Sequence, residues 1–195
     1  LEAYGHVSTW DVSLITDMSW IFGSMSFNDD ISDWDVSNVT TMSAMFYNNP
    51  VFNQDIGGWN VSNVTDVTHM MTNCYDFNQD LSSWDVSSMT TMARLFQGAT
   101  SFNGDVSTWD VSNVGDMEYL FYNNQAFNQD LSGWDVSNVW RFRNMFQYAT
   151  SFDQDLSSWD VSNAGDMSLM FYGATSFNGD ISGWNTSNVG NMYNM

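Results

Sequence analysis

A chain of 195 residues with a formal charge of −20, no lysine, and Arg94, Arg141 and Arg143 as its three strong cations excludes nucleic-acid binding, because phosphate neutralisation needs cations. Its 16% aromatic content excludes an acidic disordered tail, and a mean hydropathy of −0.29 without a long apolar run excludes membrane insertion through a helix. So acidic a surface suits salty or calcium-containing surroundings, where counter-ions screen self-repulsion.

In chain order, residues 1–9 read as the end of a unit, with Val7 where later units carry Leu or Ile. Trp10 opens the first full unit, which is one residue short between Phe22 and Phe27. Units of 25 residues follow from Trp34, Trp59, Trp84, Trp109, Trp134 and Trp159, and a last one from Trp184 is cut soon after its turn toward the next segment. The whole of 1–195 is therefore one repeat array, and each tryptophan defines position 1 of its unit. A start at Leu1 and a stop within a unit read as a mature fragment or an excised segment, so the lack of a leader says nothing about export.

Within a unit, Leu81-x-x-Trp84-x-Val86 predicts a strand of about three to five residues with one inward face. Asn63-Val64-Thr65-Asp66 and Asn113-Val114-Gly115-Asp116 then read as helix caps with a carboxylate near the N-terminus. Apolar residues at positions 6, 9, 12 and 13, such as Val39, Met42, Met45 and Phe46, predict about two helical turns. Position 15, as in Asn48, Asn73, Gly98, Asn123 and Gly173, tolerates the left-handed backbone that ends a helix, with Tyr148 as the exception. A loop anchored by Phe52, Phe77, Phe102, Phe127, Phe152 or Phe177 returns to the next strand. One unit buries too little to fold alone, so stacking is required. The expected fold is an α/β repeat solenoid, a leucine-rich-repeat-like stack of short parallel strands with one short helix per repeat.

Phe77-Asn78-Gln79-Asp80-Leu81-Ser82-Ser83-Trp84-Asp85-Val86-Ser87, followed by a Thr-x-Met-x-x-Met/Leu-Phe segment, resembles the surface-protein repeats of mycoplasmas, Listeria and other bacteria labelled DUF285. These are similar to the BspA-type leucine-rich repeats. The resemblance covers nearly the whole chain and implies a secreted or surface-attached protein, often one associated with adhesion, with no enzymatic activity attached. Val64 or Val114 stands where a standard leucine-rich repeat has its asparagine.

The acidic residues sort into columns. Position 2 carries Asp11, Asp35, Asp85, Asp110, Asp135 and Asp160, with Asn60 and Asn185 completing it. Pointing away from the Trp/Val face, these carboxylates and the neighbouring serines form either a face for a ligand or calcium or a solvated surface that prevents sticking. The column of Asp30, Asp55, Asp80, Asp105, Asp130, Asp155 and Asp180 reads as a buried or half-buried cap for backbone N–H groups of the returning loop, with calcium bridging as the alternative. Asp17, Asp66, Asp116 and Asp166 at position 8 read as helix caps. No EF-hand pattern or glycine-rich calcium nonapeptide occurs, so no metal site and no cofactor is assigned, calcium being the one ion the columns invite.

Other residues of chemical interest have bland readings beside functional ones. Met42, Met45, Met70, Met92, Met117, Met145, Met167 and Met170 are spaced like core rather than like copper ligands, and His6 and His69 lack companion ligands for zinc. Cys74 replaces an alanine and reads as a small buried thiol. The glycosylation patterns beginning at Asn38, Asn60, Asn63 and Asn185 follow from the repeat itself. Trp140-Arg141-Phe142-Arg143 breaks the pattern and is either a partner-binding spot or a pair of arginines neutralised by nearby acids. Catalysis finds no singular constellation of serine, histidine and carboxylate. The expected function is a non-enzymatic surface module that binds a protein or glycan through its Ser/Asp face, and the alternative is a spacer or filament subunit that self-associates through its repeat ends.

Overall fold

A computed structural model describes residues 5–195, so the opening part-unit over 1–9 lies partly outside the described residues. Among those residues the sole helical element is a three-residue 3-10 turn, Val7–Thr9. The repeats are built from tight turns joined by extended links. In the unit opened by Trp109, N–H groups reach back three residues from Trp109 to Val106 (3.2 Å), Val114 to Val111 (2.9 Å), Leu120 to Met117 (3.2 Å), Tyr122 to Tyr119 (3.2 Å) and Asn124 to Phe121 (3.1 Å).

These turns overturn the expected α/β architecture of strand and helix. Residues at positions 11 and 15 take positive φ, as at His69 (61°), Arg94 (62°), Tyr119 (57°), Asn73 (59°) and Asn123 (52°), and a right-handed helix cannot run through them. The apolar stripe at positions 6, 9, 12 and 13 fits successive three-residue turns as well as it fits a helix. The Trp/Val stretch pairs with no neighbouring strand. Parallel pairing occurs instead as isolated bridges at position 8, running Asp17, Thr41, Asp66, Thr91, Asp116, Arg141, Asp166, Asn191.

From those bridges onward the backbone ties each repeat to the next. The N–H groups of Met117, Tyr119, Phe121 and Asn123 donate to the carbonyls of Arg141, Arg143, Met145 and Gln147 at 3.0, 2.9, 2.9 and 2.7 Å. Alternate N–H groups thus point to the following repeat while the intervening ones close turns within their own, so both sets are satisfied without a helix or a wide sheet. At position 7 the ladder runs the other way, with Trp140 N–H donating to Gly115 O and Gly165 N–H to Trp140 O.

Each repeat contributes eight apolar side chains to one continuous core. In the fifth unit these are Trp109, Val111, Val114, Met117, Leu120, Phe121, Phe127 and Leu131, all buried. Equivalent rings stack between units, Phe102 to Phe127 at 6.1 Å, Phe127 to Phe152 at 6.0 Å and Trp109 to Trp134 at 6.2 Å. Within a unit Phe121 lies on Phe127 at 3.8 Å. The methionines named above are fully buried in this core. The short first loop is repaired by Asn49, whose amide accepts from Phe27 N–H (3.2 Å) and donates to Phe27 O (2.9 Å). Among the described residues no helix is long and apolar enough to cross a membrane.

Candidate functional site

The two aspartate columns beside the tryptophan do one job, and position 8 shares it. At position 2, Asp85, Asp110, Asp135 and Asp160 each accept through Oδ1 from the N–H two residues on, that of Ser87, Ser112, Ser137 and Ser162, at 2.9–3.1 Å. Asp11 and Asp35 repeat the bond to Ser13 and Ser37, and Asn60 and Asn185 make it with an amide oxygen. In the next column Asp30, Asp55, Asp80, Asp105, Asp130, Asp155 and Asp180 hold the N–H of Ser32, Gly57, Ser82, Ser107, Ser132, Ser157 and Ser182. These side chains are exposed, Asp105 being half-buried. At position 8, Asp17, Asp66, Asp116 and Asp166 hold the N–H of position 10, that of Ser19, Thr68, Glu118 and Ser168, and Thr41 and Thr91 hold that of Ser43 and Ala93 with a hydroxyl. A short side-chain acceptor opening a turn is a local device that needs no helix.

These bonds favour the charged carboxylate. The Ser13, Ser37, Ser87 and Ser112 hydroxyls, and then their N–H groups, hold Asp11, Asp35, Asp85 and Asp110 below the ordinary value. Burial opposes the shift weakly, as does the neighbouring charge of Asp11 on Asp35 and of Asp110 on Asp85. Asp30, Asp80, Asp130, Asp160 and Asp180 are lowered first by the backbone N–H and then by the hydroxyl of Ser32, Ser82, Ser132, Ser162 and Ser182. Among the described residues no group of three or more His, Cys, Asp or Glu side chains is placed to hold a metal ion.

Side chains also link one repeat to the next around this part of the molecule. Trp84, Trp109 and Trp134 donate Nε1–H to the carbonyls of Ile56, Leu81 and Val106, 28 residues back along the chain, at 2.9–3.0 Å. Asn113 and Asn138 at position 5 donate to Ser87 O and Ser112 O, and Asn63 and Asn38 do the same two and three repeats before Asn113. The asparagines in sequons are thus structural bonding groups. Asn78, Asn103 and Asn128 accept through Oδ1 from the backbone N–H of Asn103, Asn128 and Asp153. Cys74 is buried, donates Sγ–H to Phe46 O (3.1 Å), and burial pushes its thiol up to about 12.

Positions 7 to 15 are different. The backbone carries the links there, and the outward side chains change from unit to unit. All three arginines fall on this segment, Arg94 in the fourth unit and Arg141 and Arg143 in the sixth. Arg94 pairs with Glu118 at 3.0 Å and lies over the Tyr119 ring at 4.8 Å. Arg141 pairs with Asp116 at 2.9 Å and Glu118 at 3.5 Å and covers one face of Trp140 at 4.0 Å. Arg143 lies 5.9 Å from the Tyr119 ring and donates Nε–H to Asn144 Oδ1 at 3.2 Å. Among the described residues no carboxylate reaches the Arg143 guanidinium. Of the two readings of Trp140-Arg141-Phe142-Arg143, neutralisation by nearby acids applies to Arg141 and not to Arg143, and Phe142 belongs to the core.

Aromatic contacts continue across the units, Tyr119 to Tyr122 at 5.4 Å, Tyr122 to Tyr148 at 5.9 Å and Tyr148 to Tyr172 at 5.7 Å. The tyrosines escape a reading by local motif. Their signal in the sequence is column-wise, since positions 10 and 11 change from unit to unit, Tyr122 and Tyr172 share position 14 with Tyr47, and Tyr148 stands where position 15 has Ser, Asn or Gly. His69 sits farther along the same face, its imidazole 3.1 Å from Thr72 Oγ1 and 3.5 Å from Arg94; burial and then that arginine hold it below its ordinary value.

Units joined in one register, each spending its aspartates on its own turns and leaving one varied face, define a non-helical tandem-repeat protein. A family model described as "Mycoplasma protein of unknown function, DUF285" matches residues 2–108 and again 90–195, and the chain belongs to that family. No curated protein and no solved structure matches it.

Proposed function

We propose that the chain is a non-enzymatic binding module of an extracellular or cell-surface protein, and that it meets its partner with the varied face of positions 7 to 15. The observation that carries this reading is the division of labour between side chains. The repeated aspartates, asparagines and tryptophans are engaged in holding the stack, whereas Trp140, Tyr148 and Tyr172 stand exposed in consecutive units without such a role. Large side chains also occupy backbone that suits them poorly. Trp20, His69, Arg94, Tyr119 and Leu169 have φ between 57° and 64°, where glycine or asparagine fits at least cost. Such a residue is disfavoured by about 1–2 kcal/mol, and its recurrence on one exposed face favours a use for the side chains. The resemblance to bacterial surface repeats supports adhesion as the setting.

This reading moves the contact away from the Ser/Asp column. Panels of extracellular-matrix and cell-surface proteins, probed with the labelled chain, test it. Any partner retained should be lost with the double variant Tyr148→Ser/Tyr172→Ser and kept with Asp85→Asn/Asp110→Asn/Asp135→Asn. The reverse pattern would return the site to the aspartates, and a folded chain that retains nothing would remove the binding role.

A further inference from the structure

Resting on that reading of the face, we infer that its partner is a protein that offers a carboxylate between apolar side chains, with Arg143 as the anchor for the carboxylate. The chain carries three strong cations against 23 acidic residues, and all three meet here. Arg94 and Arg141 are answered by Glu118 and Asp116. Arg143 is exposed, and its one polar contact, from Nε to Asn144, leaves the two terminal nitrogens of the fork open. An open fork beside a ring is the geometry that takes a carboxylate in two parallel bonds, and the surrounding acidic surface gives it no partner of its own.

The exposed rings on positions 7 to 15 of this unit and the next decide the rest of the ligand. Trp140 is 47% exposed, Tyr148 38% and Tyr172 45%, and Tyr119 lies between Arg94 and Arg143. Tryptophan, tyrosine and arginine are the residues that dominate protein interfaces when truncated. A saccharide would need free amides beside the rings to read its hydroxyls. Asn144 and Gln147 are buried, however, and their side chains bond to each other. What remains open is apolar ring surface with one guanidinium, which fits leucine or aromatic side chains flanking a glutamate or aspartate. Charge complementarity is local, since the chain as a whole repels polyacids and so selects a single carboxylate in an otherwise uncharged segment.

The experiment uses an array of short peptides whose central residue is Glu, Gln or Lys between Leu or Phe neighbours, together with an array of polygalacturonate oligosaccharides, each probed with the labelled full chain. Glu-centred peptides should be retained at least about tenfold better than their Gln-centred counterparts, as expected for losing one partner of a charge-assisted fork. Arg143→Gln should erase that difference, and Arg143→Lys should restore part of it. Equal retention of Glu and Gln, an unchanged preference in Arg143→Gln, capture by the oligosaccharides alone, or a blank array each overturns the inference. Thermal melts of both Arg143 variants establish that they are folded. If Tyr148→Ser/Tyr172→Ser lowers retention while Arg143→Gln does not, the face stands and the carboxylate falls; if neither matters, both fall.

Discussion

Around the tryptophan column, neighbouring repeats are held by side chains; along positions 7 to 15, they are held by backbone. The first region needs Trp at position 1, Asn at position 5 and an acceptor at position 2, because the indole of Trp109 or the amide of Asn113 is itself the link to earlier units. In the second region Tyr119 N–H meets Arg143 O whatever the side chains are. Sequence freedom therefore lies where the main chain carries the cohesion, and a repeat protein can vary one face without weakening its stack.

The largest effect expected from breaking this contrast lies in the core that both regions share. Phe102→Ala removes a buried ring stacked on Phe77, Phe96 and Phe127, and should cost about 3–5 kcal/mol by urea denaturation. Trp109→Phe keeps most of the volume but strips Leu81 O of one of its two donors, Trp84 N–H being the other, and should cost about 0.5–1.5 kcal/mol in the same assay. A Trp109→Phe variant as stable as the parent would mean that the indole bonds do not hold the units together.

The aspartate columns sharpen the contrast more gently. Asp110→Asn should leave the melting temperature unchanged or raise it, since Asn60 already makes the equivalent bond without charge, whereas Asp110→Ala should lower it. Equal losses in the two variants would show that charge, not turn-closing, is what position 2 supplies. Acid titration probes many columns at once. Asp11, Asp35, Asp80, Asp85, Asp110, Asp130 and Asp160 lie below the ordinary aspartate value in the folded chain. The unfolded chain therefore takes up protons first, so their contribution is present above the unfolded value of about 3.9 and is lost as pH falls through the lower folded values. Melting temperature measured from pH 6 downward should hold to about pH 5 and then fall. Calcium and sodium chloride of matched ionic strength should raise it equally, and an excess in calcium would mark the columns as metal sites.

The smallest expected effect is on the varied face. Tyr148→Asn places a residue suited to φ of 60° where every other unit has Ser, Asn or Gly, and stability should stay level or rise by no more than about 1 kcal/mol. Partner capture should fall in the same protein. Destabilisation by several kcal/mol would make Tyr148 a structural residue and return it to the stack.

Much of this was legible from spacing. The period, the eight core residues per unit and the left-handed tolerance at position 15 can be read directly from Trp109 to Leu131. The helix cannot be told from the turns that replace it, because apolar residues at positions 9, 12 and 13 face inward in both. The deciding feature is positive φ at position 11, and Arg94, Tyr119 and Leu169 give no composition signal for it. The aspartates were visible as columns, but their partner two residues away, Ser112 N–H for Asp110, depends on turns that the periodicity did not distinguish from a strand face. The face was hidden for a different reason. Attention to what repeats passes over Tyr119, which does not recur at position 11, and leaves Tyr148 as a bare exception at position 15.

The fixed offset of every link has a consequence for heredity. Asn113 finds Ser87, and Asn138 finds Ser112, across the same 26 residues. A duplicated unit therefore arrives carrying one half of each bond and meets the other half already in place on both sides. Arrays of this kind can lengthen or shorten by whole units through unequal recombination without a compensating substitution. A loss of one residue is a different event, as the first unit shows: there an amide at Asn49, buried in the stack, must reach across to both backbone groups of Phe27 to close the gap.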